Sequence, residues 1–137
     1  MDRPVSVNEE YFFDGRPLVS ETDTDGIITF ANRRFCEISG YGVDEIVGQS
    51  HNIVRHPDMP KATFAQLWKT ILSGTIWHGL IKNLRKDGKY CWVDSEISPI
   101  YHSDGTLKGY MAASKPASRR NIEETAILYE QMITKES

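Results

Sequence analysis

The sequence predicts a single α+β domain in which a five-stranded antiparallel sheet carries short helices and one longer helix on one face. Three observations support this fold class. Two short apolar segments flank an Asp-Gly turn, three longer apolar segments are connected through two further Asp-Gly turns, and one amphipathic helix lies between these groups. The space between the sheet and that helix is a natural ligand cavity.

Four short elements come first. Two strands are predicted at 19–23 and 27–31, and Asp25 and Gly26 form the turn between them. Two helical segments follow at 32–39 and 43–47, and glycines separate them. The side chain of Asn32 can cap the first helical segment by accepting a backbone N–H. Gly48 ends the second.

The long helix is the clearest element of the sequence. It begins at Asp58 or Met59 and ends at Gly74, a residue suited to the position after a helix. Pro60 fits its first turn, where a missing N–H costs nothing. Its apolar residues follow the spacing of one helical face: Phe64, Leu67, Trp68, Ile71 and Leu72.

Three strands are predicted to follow, at 76–84, 89–100 and 107–114, and Pro116 closes the domain. A second amphipathic helix is predicted over 118–135. This organisation divides the chain into an N-terminal arm, a central domain and a C-terminal linker or signalling helix: 1–17, 18–116 and 117–137.

The composition excludes several classes of protein. A net charge of −3 over 137 residues argues against a nucleic-acid binder, which usually carries a basic stripe. No apolar run approaches the roughly 18 residues of a membrane span, and the first residues lack the apolar core of a secretory signal. Cys36 and Cys91 are too few for a disulfide scaffold. We expect a cytoplasmic protein with two free thiols and no membrane insertion in this segment.

The segment 51–68 is the first candidate for function, because it places two histidines, an arginine and an aspartate within eight residues. Arg55 can bind phosphate oxygens with two hydrogen bonds, and His56 can donate to the same group or to a ribose. Asp58 can accept from a ribose hydroxyl or orient Arg55. The alternative is structural: Asp58 caps the long helix, Arg55 is a solvated charge, and His56 covers the helix end.

Strand alternation selects a second group of candidates. Trp77, Gly79, Ile81 and Asn83 share one strand face, and His78 lies on the other. If the first group faces the cavity, Asn83 contributes an amide that is both donor and acceptor. On the next strand Val93, Ser95 and Ile97 would face inward, while Trp92, Asp94 and Glu96 face outward. Ser114 on the last strand would approach the same cavity, and we expect Cys91 on an outward face.

The order and spacing of these elements resemble a PAS sensor domain over residues 18–116, and DTDGIITFANRRFCEISGY resembles the usual PAS opening. HNIVRHPDMPKATFAQLW, the strand of Trp77, and KNLRKDGKYCWV resemble more narrowly the FAD-binding PAS domains of bacterial aerotaxis receptors. Flavin-binding relatives carry an asparagine at the position of Asn83, and in this family the wall of the long helix is also the pocket wall.

The resemblance implies a PAS fold, non-covalently bound FAD, and redox or oxygen-linked signalling in aerotaxis or energy taxis. It implies a homodimer, or a complex with another PAS or chemoreceptor-type signalling protein. The residues expected to contact the cofactor are Asn32, His51, Arg55, His56, Asp58, Phe64, Trp68, Trp77, Asn83, Ser95 and Ser114. The alternative is a PAS interaction module whose pocket is empty or holds haem.

The sequence disfavours four kinds of chemistry: a light-driven thiol adduct, haem binding, enzymatic catalysis and metal binding. In the related blue-light flavin domains the photoreactive cysteine aligns with His51, so the light-driven thiol adduct has no obvious nucleophile here. A haem would need His51, His56 or His78 as axial ligand, but His78 faces away from the cavity and His56 lies in a loop. No catalytic signature is present, so the sequence does not indicate an enzyme. No histidine shows a metal-ligand spacing, so no metal site is expected.

Overall fold

The computed structural model describes residues 3–136 and confirms the predicted α+β architecture. Ten elements follow one another: β1 (Leu18–Thr22), β2 (Ile28–Ala31), α1 (Arg33–Ser39), α2 (Val43–Ile46), a 3₁₀ helix (His51–Val54), α3 (Lys61–Leu72), β3 (Trp77–Leu84), β4 (Tyr90–Tyr101), β5 (Leu107–Pro116) and α4 (Arg119–Glu136). The five strands form one antiparallel sheet in the order β2-β1-β5-β4-β3.

Local sequence signals explain most element boundaries. Asn32 caps α1, because its side-chain oxygen accepts the N–H of Phe35 at 2.8 Å. Gly40 ends the helix in the left-handed conformation, with a φ of 84° that glycine adopts without strain. The 3₁₀ helix over His51–Val54 was not predicted, although the Ser50 side chain accepts the N–H of Asn52 at its start.

The long helix begins three residues later than Asp58, at Lys61, so the predicted start was wrong. Pro60 occupies the N-cap position in an extended conformation and provides no side-chain hydrogen bond. Asp58 does not cap the helix, because its carboxylate binds the Nζ of Lys82 at 2.9 Å instead. The predicted apolar face is confirmed in part: Leu67 and Ile71 are buried, whereas Trp68 and Leu72 are 39% and 66% exposed.

The main core lies between the inner face of the sheet and helices α1 and α3. Its centre is formed by buried aliphatic and aromatic side chains: Ile28, Phe35, Ile46, Val54, Leu67, Ile71, Ile81 and Val93. Cys91 is also buried, 1% exposed, and borders a small void with Leu18 and Phe35. The expectation that Cys91 faces outward was therefore wrong. Cys91 shares the strand face of Val93 and Ser95, as period-two alternation requires.

Helix α4 covers part of the opposite face of the sheet. Trp92 points away from the core as predicted, but it is only 6% exposed because the ring of Tyr129 stacks on it, with centroids 6.0 Å apart. The Tyr129 hydroxyl donates to the carbonyl oxygen of Leu80 at 2.6 Å. The helix is thus held to both β3 and β4.

The N-terminal segment packs along the β3–β4 turn. Tyr11 donates its N–H to the carbonyl of Tyr90, and Tyr90 donates back to the carbonyl of Glu9. Arg119, at the start of α4, forms an ion pair with Glu10 at 2.8 Å. Within residues 3–136, no helix combines the length and apolarity needed to cross a bilayer.

Candidate cofactor-binding cavity

A cavity lies between the inner face of the sheet and α3, where the sequence predicted one. The space inside it that the centre of a water-sized sphere can occupy is about 100 Å³. Most of its wall is apolar, with Phe64, Leu67 and Ile71 contributed by α3 and Ile81 and Ile97 by the sheet. An apolar cavity with a few convergent polar groups is the usual form of a small-molecule site.

The first polar group is a pair of hydroxyls on neighbouring strands. Ser95 and Ser114 are direct cross-strand partners, and their Oγ atoms lie 2.6 Å apart. Both residues are buried in the cavity wall. Either hydroxyl can donate to the other, so the pair leaves one O–H free to bond a ligand.

The second polar group is the amide of Asn83, which lies on the cavity face of β3 as alternation predicted. The backbone of Asn83 bridges to Arg55, but its side-chain amide makes no hydrogen bond within the part of the chain that the structure describes. Since the amide is both donor and acceptor, it can satisfy a ligand edge that carries both kinds of group.

The third polar group is His51, whose Nε2 lies 3.1 Å from the Oγ of Ser20. The imidazole also packs edge-on to the ring of Phe35, with centroids 5.9 Å apart. Burial lowers the pKa of His51, so the ring is neutral near pH 7. Sequence reasoning did not find Ser20, although alternation places it on the same β1 face as buried Leu18.

Arg55 lies at the mouth of the cavity. Its guanidinium stacks on the ring of Phe64, 3.9 Å from the centroid, and its carbonyl accepts a hydrogen bond from the side chain of Arg3. Burial lowers the pKa of Arg55, but an arginine stays charged at any physiological pH. Trp68 packs edge-on to Tyr110 nearby, with centroids 5.4 Å apart, and is 39% exposed.

His56 and Asp58 are not part of the cavity wall. The ring of His56 packs on Tyr90, with centroids 6.3 Å apart, and its Nδ1 accepts the N–H of Asp58. Burial, with a further effect of the Lys82 charge, lowers the pKa of His56 to about 4. The pKa of Asp58 is also lowered: burial acts to raise it, but the hydrogen bond from Lys82 and the charges of Lys82 and His56 together outweigh that effect.

The structure therefore brings together only part of the predicted set. The residues that line the cavity are His51, Arg55, Phe64, Trp68, Asn83, Ser95 and Ser114. Asn32 instead ties α1 to β1, since its oxygen also accepts the N–H of Val19 at 3.0 Å. Trp77 lies on the inner face, but its ring covers Gly79. Asn52 also lines the cavity and was missed, because an asparagine in a short polar loop carries no distinctive signal.

Across residues 3–136, no three side chains of the His, Cys, Asp or Glu types are grouped to hold a metal ion. The thiols are not activated either. Burial raises the pKa of Cys36, and it raises that of Cys91 to about 12.

Comparison with known proteins extends these findings. The chain is 42% identical over 119 residues to the aerotaxis receptor of Escherichia coli, covering 87% of this chain and 23% of the receptor. It is 30% identical over 100 residues to a nitrogen fixation regulatory protein of Klebsiella pneumoniae, covering 73% of this chain and 20% of that protein. The chain thus spans less than a quarter of the length of these two relatives.

Solved structures show the same fold. A Light-Oxygen-Voltage domain studied with a flavin analogue superposes with a TM-score of 0.67 at 19% identity, covering 88% of this chain and 87% of that one. At that identity the likeness concerns the fold alone. The sequence profile of the PAS fold matches residues 28–113, the part of the chain that forms most of the sheet and α1 to α3. Together with the aerotaxis-receptor match, this shows that the chain belongs to the PAS family.

Proposed function

We propose that the cavity binds FAD without a covalent bond and that the chain is a sensor module for redox or oxygen-linked signals. The observation that carries this proposal is the unpaired amide of Asn83, which faces the same apolar cavity as the Ser95–Ser114 pair. The pyrimidine edge of a flavin presents an N–H between two carbonyl oxygens, and an amide and hydroxyls can pair with such an edge.

The rest of the site suits the remaining parts of FAD. The apolar side chains of Leu67 and Ile71 line the cavity, where an aromatic ring system can pack against them. Arg55 lies at the mouth with its guanidinium free of side-chain hydrogen bonds among the described residues, so it is available to a phosphate. Bound FAD would supply reversible electron transfer, and this chain would hold and orient the ring.

The biological setting of the proposal comes from the relatives. One is named for aerotaxis and another for the regulation of nitrogen fixation, so a signalling role is shared by proteins of different output. We infer that this chain acts in aerotaxis or energy taxis in the cytoplasm, as a homodimer or with a chemoreceptor-type partner. Redox cycling of the ring would serve as the signal, and no substrate turnover is part of the proposal.

The second candidate is an interaction module whose pocket is empty or holds haem. The arrangement of the histidines disfavours haem. His51 already pairs with Ser20, His56 lies outside the cavity against Tyr90, and His78 binds Asp94 at 2.6 Å on the outer face. A haem ligand would have to break one of these contacts.

The absorption spectrum of the purified protein tests the proposal. We expect the bands of oxidised flavin, with a maximum near ~450 nm. Asn83→Ala should lower the amount of flavin per chain, and Asn83→Asp, which keeps an acceptor but loses the donor, should lower it too. Asn121→Ala, on the exposed face of α4, is the matched control and should retain full occupancy. A Soret band, or no visible absorption after incubation with FAD, would contradict the proposal.

A further inference from the structure

The carboxylate of Glu136, in the last turn of α4, binds the first turn of α3. Its Oε1 accepts the N–H of Lys61 at 3.1 Å, and its Oε2 accepts the N–H of Ala62 at 3.0 Å. The first N–H groups of a helix have no partner inside the helix and are normally satisfied by an N-cap side chain. Pro60 provides none, so a residue 75 positions later in the chain performs this role.

Helix α3, which Glu136 caps, forms one wall of the cavity. Phe64, Leu67 and Ile71 of α3 all face the empty space described above. The negative charge of Glu136 also acts on Arg55, and the positive charge of Arg55 acts on Glu136. Since the guanidinium of Arg55 stacks on Phe64, one short chain of contacts leads from the cavity mouth to the end of α4.

The other contacts of α4 hold its middle rather than its end. Tyr129 bonds to the carbonyl of Leu80 and stacks on Trp92, while Ile122 is buried nearer the start of the helix. Beyond Tyr129, the Oγ1 of Thr63 approaches the sulfur of Met132 at 4.0 Å, a weak contact. The paired hydrogen bonds of Glu136 join the last turn of α4 directly to the backbone of α3.

We propose that Glu136 is a clasp that couples the cavity wall to the C-terminal helix. When the first turn of α3 is ordered, it holds the last turn of α4, and loosening of either turn loosens the other. Coupling of this kind is reciprocal, because both turns share the same two hydrogen bonds. The clasp itself is a property of the chain, and only its trigger, a change in the cavity ligand, rests on the proposed function.

Hydrogen exchange on the cofactor-free protein tests the clasp from both sides. Glu136→Ala removes the acceptor, and the amides of residues 61–63 and 130–136 should then exchange about fivefold faster, the usual effect of losing an N-cap. Lys61→Pro removes one donor from the α3 side, at a helix position that tolerates proline. Lys61→Pro should therefore accelerate exchange in residues 130–136, although the sequence of α4 is unaltered in this variant.

Two matched controls separate the clasp from other effects of these substitutions. Lys61→Ala removes the same side chain but keeps the N–H, and Glu130→Ala removes a carboxylate from an exposed position of α4. In both variants the exchange rates of residues 61–63 and 130–136 should stay within twofold of the rates in the unaltered protein. The proposal is overturned if Lys61→Pro leaves residues 130–136 as protected as Lys61→Ala does, or if Glu136→Ala behaves like Glu130→Ala. Neither result depends on the flavin spectrum, so the two proposals can fail separately.

Discussion

Arg55 and His56 are neighbours in the sequence, yet their side chains lie on opposite sides of the edge of strand β3. Arg55 stacks on Phe64 at the cavity mouth, whereas His56 packs on Tyr90 on the other face of the sheet. The cause is the backbone between them, which pairs with β3: Arg55 bridges to Asn83, and the N–H of His56 donates to the carbonyl of Lys82. Successive residues of a paired, extended segment point to opposite faces.

This separation predicts that substitution of Arg55 weakens ligand binding more than substitution of His56 does. If Arg55 holds a phosphate of FAD, Arg55→Ala should weaken FAD binding about tenfold or more, the usual cost of a lost charged hydrogen bond. Arg55→Lys should be intermediate, because it keeps the charge but loses the planar stack. Flavin titration measures both variants, and Arg33→Ala on α1 is a suitable control. Unchanged FAD affinity in Arg55→Ala would contradict this role.

His56 should instead control how stability depends on pH. Its pKa is about 4 in the folded protein and near 6.5 when unfolded, so the unfolded chain binds the extra proton first. The contribution of His56 to the free energy of unfolding is therefore fully present above pH 6.5. It is lost as the pH drops toward 4, and this loss lowers the free energy of unfolding by at most about 3 kcal/mol. In His56→Asn, whose side-chain oxygen can still accept the N–H of Asp58, this component should vanish. Urea unfolding at several pH values gives the difference, and equal pH profiles would show that His56 contributes nothing.

The hydroxyl pair of Ser95 and Ser114 should behave as one unit. Ser95→Ala or Ser114→Ala leaves the remaining buried hydroxyl without its partner, which we expect to cost about 1–3 kcal/mol. The double substitution removes both groups and should cost less than the sum of the two single changes. Chemical unfolding of the cofactor-free variants completes the cycle. Additive effects would mean that the two hydroxyls do not stabilise each other.

Gly79 should be required by the position of the Trp77 ring. A Cβ at this position would lie 2.6 Å from two atoms of the indole, and the indole is buried. Gly79→Ala should therefore destabilise the fold by about 1–3 kcal/mol through overpacking. In a Trp77→Leu background the same change should be neutral or favourable, since alanine suits a strand better than glycine. An equal cost in both backgrounds would rule out this explanation.

Blue light should not produce a thiol adduct in the flavin-bound protein. Cys36 and Cys91 lie outside the cavity wall, and burial keeps both thiols protonated by raising their pKa values. Position 51, which the resemblance aligns with the reactive cysteine of blue-light flavin domains, holds a neutral histidine. Absorbance at ~450 nm should therefore not bleach reversibly under illumination without a reductant. His51→Cys is the positive control. Bleaching that disappears in Cys36→Ala or Cys91→Ala would contradict the placement of these thiols.

The sequence was sufficient to predict the structural elements that interactions between residues close in the chain determine. Asp-Gly turns, the Asn32 cap and helical apolar spacing depend on residues a few positions apart, and they predicted all five strands and the four α-helices. Period-two alternation also placed Asn83, Ser95 and Ser114 on one inner face, since any paired strand must alternate. The error at Cys91 came from misapplying this rule, and the sequence contained enough to avoid it.

The tertiary structure decided what depends on contacts between distant segments. The separation of Arg55 from His56 arises only because their loop pairs with the edge of β3, and Asp58 fails to cap α3 because Lys82 is within reach. Likewise, no local pattern links Glu136 to the first turn of α3. Each of these contacts satisfies a charge or an N–H group with a partner more than 20 residues away, and only the folded chain determines which partner lies close enough.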